Sequence, residues 1–356
     1  MLKEKKNMKR LISLILAAVM LLSLAACGQT EPAPTAAPTE APVVTEAAPE
    51  TTAAPETEAP AAPVNVMVLN GTTGFGMADL MDAAANGQAS QEYNFSVETD
   101  ASNIVAALAN GSVDIAALPT NAAATVYNKT QGKVQVLALN TLGVLYLVGH
   151  KDAVDIDSID DLAGWNVWAP AQNPSFIFQH IVEANGLSDV TIDNTYAQPA
   201  DLNTAVASGE VSIAVLPEPM VTVAMSKNPD LKVLLDLTAE WDKIAPAGSL
   251  VQGCVVVRKA FAEENPDAVK TFLAEYGASI EALTTDIEGT AAKIEAQGIF
   301  SKAAVAAKAI PNCNVCFITG ADMQAALSEF LTIMHGVAPA SVGGAVPADD
   351  FYCIVN

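Results

Sequence analysis

The chain has 356 residues, about half of them apolar, with 40 acidic against 17 basic side chains and a formal net charge of −23. Such acidity argues against nucleic acid or an anionic lipid surface as a partner, because phosphate binding needs Lys and Arg. It suits solubility outside a cell, and the length exceeds what one compact core usually fills.

Taken from the start, Lys3, Lys5, Lys6, Lys9 and Arg10 precede an apolar run from Leu11 to Leu22, then small residues up to Cys27. This is the layout of a secretory signal, and the stretch from Met8 would suffice for one. The run is shorter than the ~20 residues a membrane span needs. Leu24-Ala25-Ala26-Cys27-Gly28 resembles the lipobox of bacterial lipoproteins, which implies a signal over 1–26 and a lipid on Cys27. An ordinary signal peptide with an incidental cysteine is the plainer alternative. Residues 28–63 are almost wholly Pro, Ala, Thr and Glu. Such a stretch cannot bury enough apolar surface to offset chain entropy, so 27–63 is expected to be a disordered, semi-stiff spacer.

A folded region then begins near Val64. Val64–Leu69 reads as an apolar strand running into the Gly-rich loop Asn70–Gly76, with a helix over Met77–Ala85. Tyr93–Val97 is the next strand, followed by Val134–Leu139 and the apolar stretch Leu142–Val148. A short helix at Ser158–Leu162, a strand at Trp165–Ala169, a helix at Phe176–Ala184 and a strand near Val190–Ile192 come after it. Leu231–Leu235 and the strongly apolar Val251–Val257 read as strands. Beyond them lie helices at Phe272–Leu283, Gly289–Gln297, Ala303–Ala309 and Asp322–Met334, interrupted by β-type residues in Pro311–Thr319. Alternation of this kind predicts an α/β fold with parallel sheets.

One passage occurs twice, 98 positions apart. Residues 105–129 and 203–227 align without a gap and share nine of 25 positions, including Gly111/Gly209, Ile115/Ile213 and Pro119/Pro217. Each copy reads as helix, Gly turn, short strand, Pro, second helix. Two copies are too few for a solenoid and suit two similar lobes facing a shared cleft. Ligands of such sheets bind beyond the C-terminal strand ends. Four loops fall there, namely Gly71–Gly76, Thr120–Asn121, Gln172–Ser175 and Glu218, each at an expected helix N-terminus where free N–H groups favour anions or ligand oxygens. The binding candidates they supply are Thr72, Thr73, Phe75, Thr120, Asn121, Asn173, Ser175, Phe176 and Glu218. For Phe75 and Phe176, packing is an equal alternative to stacking on a flat ligand. For Glu218 the alternative is a place in the first helical turn, worth up to ~1 kcal/mol through the dipole. Trp165 and Trp168 read as core residues on different faces.

The chemistry-bearing residues are sparse. Cys313 and Cys316 have CxxC spacing, open to a local disulfide, a redox pair, free thiols or half of a zinc site that lacks partner ligands. His150, His180 and His335 are scattered and read as surface residues. No nucleophile, metal or cofactor motif stands out, so neither catalysis nor a cofactor is expected. The Gly71–Gly76 loop lacks the ending of a P-loop and the spacing of a dinucleotide fingerprint. Beyond the signal the single arginine is Arg258, outside the four loops, and none of those loops holds a lysine. A carboxylate clamp is hard to build without them, which favours a neutral or weakly charged ligand.

Together, the Cys27 lipobox, the strand and Gly-rich loop at Val66–Gly76, Ile104–Pro119, Leu216-Pro-Glu-Pro219 and Val255–Pro266 resemble solute-binding lipoproteins of ABC importers. The nearest group is the nitrate/sulfonate/taurine and thiamine-precursor binding type, and the resemblance spans 64–356. It implies a type II periplasmic-binding-protein-like fold, with lobe one over 64–147 and 252–356 and lobe two over 148–251. It also implies capture of a small solute, a transmembrane permease as partner, a monomer, and a lipid anchor on the outer face of a bacterial membrane. A tethered sensor or adhesin using the same cleft is the alternative, and a precursor-synthesis enzyme on this fold a more distant one.

Overall fold

The computed structural model of the chain describes residues 62–152 and 155–355. The signal segment, Cys27 and nearly all of the spacer lie outside them. In chain order the strands are β1 (Val64–Leu69), β2 (Tyr93–Glu98), β3 (Ile115–Pro119), β4 (Val134–Thr141), β5 (Leu145–His150), β6 (Asn166–Trp168), β7 (Thr191–Asp193), β8 (Ile213–Pro217), β9 (Leu231–Asp236), β10 (Gly253–Arg258) and β11 (Val315–Ile318). Helices α1 (Thr72–Phe75), α2 (Ala78–Ala85), α3 (Ala101–Asn110) and α4 (Thr120–Thr130) belong to the first part of the chain. Helices α5 (Asn173–Ala184), α6 (Pro199–Ser208), α7 (Met220–Lys227) and α8 (Leu237–Trp241) occupy the middle. The last third adds α9 (Lys259–Glu264), α10 (Pro266–Thr285), α11 (Ile287–Ala296), α12 (Ala303–Ala309) and α13 (Gly320–Val337).

The strands form two sheets, one ordered β11-β4-β10-β3-β1-β2 and the other β7-β6-β8-β5-β9. Neither is fully parallel, which corrects the sequence expectation. β10 runs antiparallel to β3 and β4, and β5 runs antiparallel to β8 and β9. The cause is connectivity. β4 ends at Thr141 and β5 starts at Leu145, so the chain passes into the second sheet without a crossover helix and leaves the junction running outward. β10 does the same on return: its first residue, Gly253, pairs with Pro119 and Thr141, the last residues of β3 and β4. A reversed strand needs no βαβ crossover.

The repeated passage becomes α3–β3–α4 in the first lobe and α6–β8–α7 in the second. The glycine that the two copies share caps the first helix of each. Gly111 (φ 79°) and Gly209 (φ 81°) are left-handed and return their N–H groups to the carbonyls of Ala107 and Ala205. Only glycine holds that backbone without a Cβ penalty. Strands β3 and β8 then bury four successive residues each, as strands covered on both faces do.

Three apolar cores result. One lies between β1, α2, α10 and α11 in lobe one, including Val66, Phe75, Phe272 and Ile294. A second lies against β5, β8, α6 and α7 in lobe two, including Val148, Leu202 and Leu216. The third is continuous through both lobes, joining Val136, Leu139, Phe330 and Leu331 to Ile177, Phe178, Ile213 and Trp241. Trp165 packs on this shared core and Trp168 on the second one, so the two indoles occupy different faces as expected.

Candidate functional site

The C-terminal ends of β1, β3 and β4 meet that of β8 and the start of α5 around a cavity of about 370 Å3. Its walls come from both lobes: Asn70–Thr73 after β1, Pro119 and Thr141 ending β3 and β4, and Asn173–Pro174 opening α5. Pro217–Met220 lies between β8 and α7, with Val144 and Gln252 at the two passages between sheets. Phe300 and Pro199 close the remaining sides. Larger depressions lie elsewhere. One of about 580 Å3 holds Arg258, Lys259 and Asp350 on the outer edge of lobe one. Its guanidinium is committed to Asp114 Oδ1 at 2.6 Å and the Val113 carbonyl at 2.9 Å. The strand-end cavity is the candidate site because residues of both sheets converge there, where α/β ligands bind.

Side chains already bridge the lobes at this place. The Thr72 hydroxyl donates to the Glu218 carbonyl at 2.7 Å, and Asn173 Nδ2 donates to Asn121 Oδ1 at 3.1 Å. Farther along, the hydroxyl of Tyr146, which lies on β5 of the second sheet, donates to the Asn312 carbonyl beside the first at 2.9 Å. At the passages, the Val144 N–H donates to Gln252 Oε1 at 2.8 Å and the Gln252 N–H to the Thr141 carbonyl at 2.9 Å.

Of the sequence candidates, Thr72, Thr73, Asn173 and Glu218 line the cavity together. The others are placed differently. Phe75 is fully buried in the lobe-one core, edge-on to Phe300 at 6.2 Å between centroids, so its ring offers no face to a ligand. Thr120 is the sequence counterpart of Glu218, but its buried hydroxyl is committed to the Val251 carbonyl at 2.8 Å. Ser175 turns to Asn194, whose Nδ2 donates to its Oγ at 3.1 Å. Asn121 and Phe176 face a separate depression of about 490 Å3 beside Gln172 and Lys129. Asn121 reaches the cavity only through its bond to Asn173. Sequence reasoning missed Thr141, Val144, Gln252 and Phe300. The first three sit where the chain passes between sheets, and Phe300 enters from the helical last third with no local signal.

Glu218 anchors a helix start and stands in the cavity wall. Its carboxylate accepts from the Thr222 N–H at 3.1 Å and the Thr222 hydroxyl at 3.0 Å, which ties down the first turn of α7. The residue also lines the cavity. Burial holds its pKa above the usual carboxylate range, against smaller opposing effects of the Thr222 bonds. Asn173 is 9% exposed, and its Oδ1 is buried with no hydrogen-bond partner. Helix starts around the cavity are rich in proline: Pro119 precedes α4, Pro174 and Pro199 lie in the first turns of α5 and α6, and Pro219 precedes α7. Each removes a backbone donor, so the N–H-rich cradle expected from four helix N-termini is thinner than the loops suggested.

The cysteines do not form the disulfide that CxxC spacing allows: Cys254, Cys313, Cys316 and Cys353 are all free. Burial pushes the Cys316 thiol up to about 12 and raises Cys313 as well, leaving little thiolate for redox exchange. His180 is half-buried against Trp241, 5.1 Å between centroids, and burial lowers its pKa. His150 and His335 are also half-buried rather than surface residues. Among the described residues no group of three or more His, Cys, Asp or Glu is placed to hold a metal ion. No described helix is long and apolar enough to cross a membrane.

Residues 83–309 match the model of the substrate binding domain of the ABC-type glycine betaine transport system. No curated protein matches the chain. Among solved structures, an ABC transporter from Parabacteroides distasonis is similar at 23% identity and a TM-score of 0.70, over 82% of this chain and 98% of that one. The periplasmic aliphatic sulphonate binding protein of Escherichia coli is similar at 15% identity and 0.63, over 81% and 95%. A ligand binding component of an ABC-type import system from Staphylococcus aureus, solved with zinc bound, is similar at 13% and 0.62, over 82% and 96%. At these identities the likeness is one of fold.

Proposed function

Because the chain belongs to the family of substrate binding domains of the ABC-type glycine betaine transport system, we propose that it captures a small solute in the cavity between its lobes and delivers it to a membrane permease. It is a binding component of an import system, and its family is one of binding domains rather than catalysts. The observation that carries the site assignment is the convergence of strand ends and helix starts from both sheets on one cavity. Contacts made by both lobes favour a closed form, and a solute shifts the balance only through its different affinity for the two forms. The passages at 142–144 and 249–252 would then serve as the hinge. The shared core on α13 limits motion to a small rotation, because moving farther would expose Phe330 and Leu331.

Lipidation of Cys27 would hold the domain at the outer face of the membrane, with 28–63 as the spacer, and a single copy would suffice. The 17 residues around the cavity include no Lys, Arg or His among the described ones and a single aromatic, Phe300. That lining is poorly suited to a sulphonate, which wants cations, and to a quaternary ammonium, which wants an aromatic cage.

A thermal-shift screen of the purified protein against small amines, amides, sulphonates, betaines and amino acids tests the reading. A binder that meets only the native state raises stability by about 2.7 kcal/mol at 100 times its Kd. Shifts that vanish when Thr73 and Asn173 are replaced together support this cavity. A shift unaffected by them would move the site elsewhere.

A further inference from the structure

We infer that the cavity selects a compact, non-anionic solute that presents an N–H donor to the amide oxygen of Asn173. The inference rests on the solute-binding reading above and adds a substrate class to it.

Asn173 is the reason. Its Nδ2 is used on Asn121 Oδ1 at 3.1 Å, which fixes the amide with its oxygen left over. That oxygen is buried and has no partner. A buried acceptor left unpaired is costly, and native structures reserve such groups for a ligand or water. A solute N–H that reaches Oδ1 recovers the lost bond, whereas a solute carrying only acceptors meets repulsion there.

The surrounding charge agrees. Glu218 is the one ionisable residue among the described lining, and its carboxylate oxygens act as acceptors. Prolines at the starts of α5 and α6 and just before α4 and α7 remove N–H groups that an anion would use. Leu69, Val144, Met220 and Phe300 add apolar surface to a wall whose other polar groups, such as Asn70, Thr73 and Gln252, are neutral. With a volume of about 370 Å3 the cavity sits at the small end of ligand pockets. A small heterocycle, amide or amine with an apolar body matches these features.

Titration calorimetry of the purified protein with matched pairs tests this. The pairs are 4-aminopyrimidine with 4-(dimethylamino)pyrimidine, and 2-pyrrolidinone with N-methyl-2-pyrrolidinone; ethanesulfonate and glycine betaine are comparators. In at least one pair the N–H member is expected to bind about tenfold tighter than its alkylated partner, the size of one well-made hydrogen bond. Asn173→Leu should bring the members within about twofold. Asn173→Asp keeps an acceptor and should keep the preference, and the wild-type pairs decide the matter if a variant fails to fold. Equal binding within every pair, or a preference that survives Asn173→Leu, overturns the inference. Binding of ethanesulfonate or glycine betaine in place of the N–H solutes overturns it too, yet leaves the solute-binding reading standing. No binding by any of the six overturns it and counts against both.

Discussion

Glu218 serves local structure while standing in the wall of the cavity between the sheets. Two bonds from Thr222 hold its carboxylate at the start of α7, while burial raises its pKa from an ordinary value of 4.5. A carboxyl whose folded pKa is raised contributes its stability in full below the unfolded value and loses it as pH rises through the folded one. Replacing it with Gln keeps an oxygen for Thr222 and removes the charge. The melting temperature of Glu218→Gln relative to wild type is therefore expected to climb as pH goes from 4 to 8. A pH-independent difference in thermal melts would mean that the carboxylate is not desolvated in the folded chain. The sequence left Glu218 between holding a helix start and touching a ligand; the structure shows its bonds to the helix start and its place in the cavity wall. Phe75, Thr120 and Ser175 show the limit of such reading. All three sit in helical turns just beyond strand ends, but the direction of a side chain there depends on partners, Phe300, Val251 and Asn194, that no local pattern reveals.

Among the elements, the duplicated helix–strand–helix unit was legible because its demands are local. A left-handed cap needs glycine, a doubly covered strand needs an unbroken apolar run, and a helix start tolerates proline. Gly111 and Gly209 occupy the same cap in separate lobes, with no atom within 4 Å of a Cβ built on Gly111. Gly111→Ala and Gly209→Ala should each cost ~1 kcal/mol through backbone strain alone. Being far apart, they should add in the double variant within about 0.5 kcal/mol. Urea unfolding of the three variants measures this, and a cost at one site alone would break the equivalence of the copies. Strand direction was not legible. The reversals of β5 and β10 arise from the direct passages between sheets, and apolar runs such as Val251–Val257 carry no sense of orientation. Gly143 lies in one passage, where an added Cβ would strike the Thr238 hydroxyl and come within 2.7 Å of Leu250 Cδ2. Gly143→Ala is expected to destabilise by ~1–3 kcal/mol, as overpacking does. A neutral result in the same urea experiment would show that the passage has room to yield.

For the molecule as a whole, what matters is how firmly two acidic lobes are held together without a solute. Away from the shared core, the side-chain bonds between them among the described residues include the Thr72, Asn173 and Tyr146 contacts and one from Asn312 to the Glu218 carboxylate. Each is worth ~1 kcal/mol net, so a solute with a modest preference for the closed form can shift the population. Tyr146 isolates this effect because its hydroxyl bridges to the Asn312 carbonyl and it does not line the cavity. Its pKa is raised by burial first and then by Asp236 and Glu218, so the donor persists across the physiological range. Tyr146→Phe deletes that one bridge and leaves the ring in place. If closure works as proposed, the solute-free variant should show a larger radius of gyration by small-angle scattering and match wild type once solute is saturating. Its affinity should fall by up to about fivefold, the factor that ~1 kcal/mol allows in the fraction of closed molecules. An unchanged radius with weakened binding would place Tyr146 in direct support of the site. Unchanged radius and affinity would mean that the shared core on α13, and not the polar bridges, keeps the lobes together.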